Sequence, residues 1–139
     1  MKCFTHTDLD GHCSGAIVAY FTNNYNPEDY FYVNYNQPLP IDKVEDGETV
    51  YFTDYSFTEN TMWVLEELQK RGCKIVWCDH HTSSLNLQNK HPELCHISGI
   101  RSEEHSPSLH SACSGHSRYC RYFQIQESAS GDPRLRTTD

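Results

Sequence analysis

Positive charge is what this sequence has least of. Its 11 Lys and Arg stand against 19 Asp and Glu, a formal net charge of -8. So acidic a chain exerts no general pull on nucleic acid, and long duplexes are excluded as substrates. A phosphorylated substrate would need bound cations to supply positive charge locally. Membrane-length apolar runs and a recognisable signal peptide are also lacking, so no membrane partner is expected. The cysteines lack an even count: there are seven, which cannot all pair with one another. Cys3, Cys13, Cys73 and Cys78 sit within apolar segments, as small buried residues in a reduced, cytoplasmic compartment would. No internal repeat is present. With 139 residues, 37% of them hydrophobic, the chain fits one domain of ordinary size.

What is there is an alternation of short apolar runs and helical patterns. Met1 to Thr5 reads as a strand, Gly11 as a tight turn, and His12 to Asn23 as a helix. That helix is expected to bury Cys13, Ala16, Ile17, Tyr20 and Phe21, which share one face. Asn24 to Asp29, with Pro27, reads as a loop, and Tyr30 to Tyr35 as a strand. Pro38 and Pro40 break the chain before a short turn over Ile41 to Gly47. Thr49 to Thr53 is the next strand. Ser56 and Glu59 fit a capping box opening a helix to about Arg71, with Val64, Leu65 and Leu68 buried and a stop at Gly72. Cys73 to Cys78 reads as a buried strand, Thr82 to Lys90 as helical, and Leu94 to Ile97 as a weaker strand. The expected fold is α/β, a parallel sheet with helices on both faces.

Three of these strands end alike. The first runs into His6-Thr7-Asp8-Leu9-Asp10-Gly11, the second into Asp54, the third into Asp79-His80-His81. In an open α/β sheet such ends share one edge, where sites form. Carboxylates gathered there repel one another unless a cation sits among them. Mixed imidazole and carboxylate ligands suit manganese, iron or zinc. They are numerous enough for two ions about 3.5–4 Å apart, an arrangement suited to displacement at phosphorus. Each motif alone has a plainer reading: Asp-x-Asp-Gly is a common turn, and Asp54 could cap the helix after it. Their conjunction at successive strand ends favours a metal site.

The ordered set of motifs resembles the DHH phosphoesterase superfamily, over about Met1 to Arg101. The opening His-x-Asp-x-Asp-Gly is closest to its oligoribonucleotide phosphodiesterase and single-strand exonuclease branches. The resemblance implies that His6, Asp8, Asp10, Asp54 and His80 ligate two divalent ions, manganese first and magnesium second, with Asp54 bridging them. His81 would face the substrate phosphate, with Asp79 orienting its neighbours. Arg101 and Ser102 fall where such proteins often contact substrate. The chain departs from the family in having no later aspartate but Asp132 and Asp139, and no room for a second substrate-gripping domain. A DHH domain over residues 1–105 is therefore expected, minimal, truncated, or with its family sequence replaced after about Ser106 by a change of reading frame. A Ser/His-rich, poorly ordered tail is expected over 106–139. In that tail His110, Cys113, His116 and Cys120 have spacings compatible with structural zinc, though a disordered segment is favoured. The expected activity is hydrolysis of phosphodiester or phosphomonoester bonds in small nucleotides or short single-stranded oligonucleotides. The alternative is a non-catalytic nucleotide- or metal-binding module.

Overall fold

A computed structural model describes residues 1–79 and 81–93. Over those residues the fold is α/β, with a four-stranded, all-parallel sheet and three α-helices. Its elements are β1 (Lys2–Thr5), α1 (Leu9–Thr22), β2 (Tyr30–Tyr32), β3 (Thr49–Thr53), α2 (Trp63–Lys70), β4 (Lys74–Cys78) and α3 (Thr82–Lys90), with single 3-10 turns at Pro27–Asp29 and Ile41–Lys43. The strand order is β2-β1-β3-β4. Thr5 lies opposite Tyr32 on one side and Thr53 on the other, and Thr53 lies opposite Cys78. The four strands thus end level.

From β1 the chain steps outward through α1 to β2, then returns across β1 to β3 and steps the other way through α2 to β4. Crossovers of one hand that run in opposite directions must put their helices on opposite faces. Alternate strand residues sort accordingly. Phe4, Val50, Phe52, Ile75 and Trp77 pack with Val64, Leu65 and Leu68 of α2 and Leu87 of α3. Cys3 packs with Val18 of α1 on the other face, where Val76 and Cys78 meet Ile17. Phe4 stacks between Phe31 and Phe52, at centroid distances of 5.0 and 5.3 Å. Each large apolar side chain fully withdrawn from water contributes about 1.5–3 kcal/mol. Among the described residues, no helix is long and apolar enough to cross a membrane.

Several boundaries differ from those the sequence suggests. The first helix starts at Leu9, capped by Asp8, whose side chain accepts from the Gly11 amide at 2.9 Å. Gly11 therefore lies inside the helix rather than in a turn. The face buried against the sheet is Gly11, Ser14, Gly15 and Val18, while Ala16 and Tyr20 are exposed. Small residues let α1 approach the strands closely, and of the larger apolar set Ile17 and Phe21 pack half-buried at the edge of that contact. The second strand is shorter than expected, ending at Tyr32. The capping box does not form: α2 begins only at Trp63. Tyr55 and Phe57 are drawn extended into the core, and the amides of Thr61 and Met62 are satisfied by the Thr58 carbonyl instead. Ser56 hydrogen-bonds Ser83 and Ser84, both at 2.7 Å, and Glu59 pairs with His91. The strand expected at Leu94 to Ile97, the domain boundary near 105 and the zinc-like tail cysteines and histidines lie outside the described residues.

At the opposite edge of the sheet, Glu48 joins Lys2 at 2.8 Å and the N-terminal ammonium at 3.0 Å. Burial pushes the Glu48 carboxyl up, but Lys2, the Glu45 amide and the ammonium together bring it down to about 2. A depressed folded-state value gives stability that is complete above the ordinary 4.5 and is lost as pH falls toward 2. Allowing for solvent screening, Glu48→Gln should cost about 1 kcal/mol at neutral pH. In urea titrations the gap between variant and parent should close between pH 4.5 and the folded value near 2.

Candidate metal centre

The ends of β1, β3 and β4 converge where the strand order reverses, the crevice in which open α/β sheets form their sites. Two groups of possible ligand atoms meet there. One comprises His6, Asp8 and Asp54, the other Asp54, Asp79 and His81, with the atoms of each group within 4.8 Å of one another. Asp54 belongs to both.

Its position follows from its backbone. The Asp54 amide donates to the Cys78 carbonyl at 3.0 Å, one step beyond the β3–β4 pairing, which holds it beside Asp79. Its φ is 51°, a left-handed conformation that Asp and Asn tolerate better than other side chains. The alternative that Asp54 caps the following helix is overturned, because α2 starts nine residues later and its N-cap is Met62.

Asp8 does two things. One carboxylate oxygen caps α1, and the other lies 3.0 Å from the His6 Nδ1. Burial pushes the Asp8 carboxyl up. The Gly11 amide, the His6 imidazole and a hydrogen bond with Asp54 outweigh that, and the carboxyl lies below its ordinary range. His6 in turn stacks on Tyr35 at 4.9 Å, and the Tyr35 hydroxyl accepts from the Ser56 amide at 3.2 Å.

Asp79 and Asp54 are 2% and 1% exposed, so two carboxylates are buried in one small volume. Asp79 accepts from the His81 Nδ1 at 2.6 Å and, with its other oxygen, from the Ser84 hydroxyl. Because an ionised carboxylate only accepts, this bond fixes the His81 proton on Nδ1. The same bond raises the His81 imidazole above its ordinary value against the opposing effect of burial, helped by the charges of Asp79, Asp54 and Asp8.

Of the residues the sequence suggests, His6, Asp8, Asp54, Asp79 and His81 come together here. Asp10 does not join either group; it lies in the first turn of α1, where the helix dipole favours an acid. His80, Arg101 and Ser102 lie outside the described residues. Sequence reasoning missed Ser84 and Tyr35. Ser84 carried a signal: with Leu87 and Gln88 it forms the buried i, i+3, i+4 face of α3, beginning just after the strand that delivers Asp79. Tyr35 carried none, because its contact with His6 depends on how the chain leaves β2.

These groups could hold a divalent cation. Carboxylates with imidazole suit manganese and related ions, and a cation or a shared proton would relieve the repulsion between buried acids this close. Comparisons of the chain with family models, curated proteins and solved structures find no match.

Proposed function

We propose that this protein is a metal-dependent phosphoesterase of the DHH type, acting on small nucleotides or short single-stranded oligonucleotides. The observation that supports it best is the sharing of Asp54 between two ligand groups, His6 with Asp8 and Asp79 with His81. Two divalent ions, manganese first and magnesium second, would be held by His6, Asp8 and Asp54, with His80 as a further ligand. Bound there, they supply the positive charge that phosphoryl transfer requires and that the acidic chain lacks.

The side chains divide the remaining work. Asp79 keeps the His81 ring in one orientation and Ser84 keeps Asp79 in place, as outer partners do in metal sites. His81, whose imidazole the Asp79 bond raises above its ordinary value, would face the substrate phosphate. Arg101 and Ser102 are further substrate contacts under this reading. The net charge disfavours long duplexes, whose binding depends on phosphate neutralisation by Lys and Arg.

Manganese should raise the melting temperature well above that in EDTA, since a ligand held only by the folded state adds about 2.7 kcal/mol at a hundredfold excess over its dissociation constant. With manganese present, a dinucleotide should be hydrolysed. A melting shift without turnover of any short nucleotide would turn the centre into a binding module, and identical melting curves would remove the metal.

A further inference from the structure

A second concavity, of about 240 Å³, runs between α1 and the segment leading into β2. Its walls include His12, Ala16, Ala19, Tyr25, Tyr30 and Tyr32. No residue lining it carries a carboxylate, ammonium or guanidinium, so a phosphate group has no ionic partner there. Burial pushes the Tyr30 hydroxyl up to about 12, which keeps it neutral, and that hydroxyl is spent on the Asn24 carbonyl at 2.6 Å.

What the groove does offer is flat aromatic surface. The His12 and Tyr32 rings stack at 4.1 Å and 13°. Tyr32 is 42% and Tyr25 66% exposed, so both rings are open to a ligand from solvent. The depth comes from small residues on α1: a Cβ on Gly15 would meet the Tyr32 hydroxyl oxygen at 3.5 Å. The groove lies near the acidic centre along two elements, α1 and β2. The His12 amide donates to the Asp8 carbonyl at 3.0 Å, and Tyr32 pairs with Thr5, the residue before His6. One helical turn separates the stacked rings from the Asp8 ligand.

We propose that this groove is a nucleobase subsite, in which an uncharged planar heterocycle stacks against the His12–Tyr32 pair while the phosphate of the same nucleotide lies at the acidic centre. The phosphoesterase reading gives the subsite its purpose; the stacking itself needs no metal. Aromatic platforms take bases with little sequence preference, so the subsite would favour nucleotides over other phosphoesters without selecting one base.

The test is a titration of the full chain with adenosine in EDTA, followed by tyrosine and tryptophan fluorescence. Saturable quenching is expected, and ribose 5-phosphate should not compete. His12→Ala removes the platform and Ala16→Leu fills the groove. Both lie at exposed helix positions where the new residue is a good helix former, and circular dichroism checks the fold. Each should weaken adenosine binding about tenfold, the scale of one lost stacking contact. Absence of saturable binding, or binding unchanged in both variants, overturns the subsite. Adenosine binding that responds to both variants in a chain that neither holds manganese nor hydrolyses a dinucleotide would keep the subsite and remove the phosphoesterase reading. Turnover with no groove dependence would do the reverse.

Discussion

Asp54→Asn is expected to abolish manganese-dependent turnover and the manganese-induced melting shift together, while the metal-free protein keeps or gains stability. Three features combine to give this outcome. Asn is the replacement best suited to a φ of 51°, and it keeps the backbone bond from this residue to the Cys78 carbonyl. It removes one charge from a cluster that also holds Asp8 and Asp79, so repulsion in the empty centre falls. Losing a partner that merely orients a ligand costs metal affinity about 10–100-fold, and a ligand common to two groups should cost more. Asp54→Ala separates charge from backbone: it should lose metal binding equally but be less stable than the Asn variant, by about 1–2 kcal/mol, because alanine resists the left-handed conformation. Calorimetric melting with and without manganese reads all of these effects. Full activity in the Asn variant would leave Asp54 with a purely structural task.

The second large effect is expected at Gly11. A Cβ there would overlap the His6 carbonyl and approach its Cα to 2.9 Å, and backbone atoms cannot rotate aside. Gly11 is also held on both sides: its amide donates to Asp8 and its carbonyl accepts from Thr5 at 2.8 Å. Gly11→Ala must therefore lift the start of α1 off the end of β1, carrying Asp8 away from His6. Overpacking of this kind costs roughly 3 kcal/mol, and manganese should no longer shift the melting temperature. Gly15→Ala is the control, four residues along the same helix. Its Cβ would meet only ordinary contacts, at 3.5 Å and beyond, and alanine is the better helix former by about 1 kcal/mol. Denaturant titration should show opposite signs for the two variants. Equal losses would mean that α1 is sensitive to any added methyl group.

The sequence made the strands that matter legible. Lys2–Thr5, Thr49–Thr53 and Lys74–Cys78 are apolar, β-branched and aromatic, and each ends in an acid or histidine, so both the α/β class and the converging edge could be read from them. The helices were harder. Of the apolar face read on α1, Ile17 and Phe21 do pack against the sheet while Ala16 and Tyr20 face out. The closest approach is decided by which side chains are small, a property that hydropathy does not register. The start of α2 was misread because Ser56 and Glu59 match a local pattern whose partners turned out to be distant: Ser83 and Ser84 for one, His91 for the other. Asp10 was grouped with Asp8 on its place after the first strand and on the family resemblance. Once Asp8 becomes the cap, Asp10 is already in the helix.

The strand order carries a kinetic consequence. Every pairing in this sheet is parallel, so none can begin from a tight hairpin; each requires a crossover to be completed first. The acids at positions 8, 54 and 79 are separated by 46 and 25 residues (54 − 8 and 79 − 54). They meet only after β1, β3 and β4 have all closed, late on any route to the native state. A cation held among them has little to bind in the folding transition state and everything to bind afterward. Its stabilisation should then be expressed almost wholly as slower unfolding, with the folding rate nearly unchanged. For a protein with this topology, a bound metal would act as a latch on a finished structure rather than a nucleus for building it.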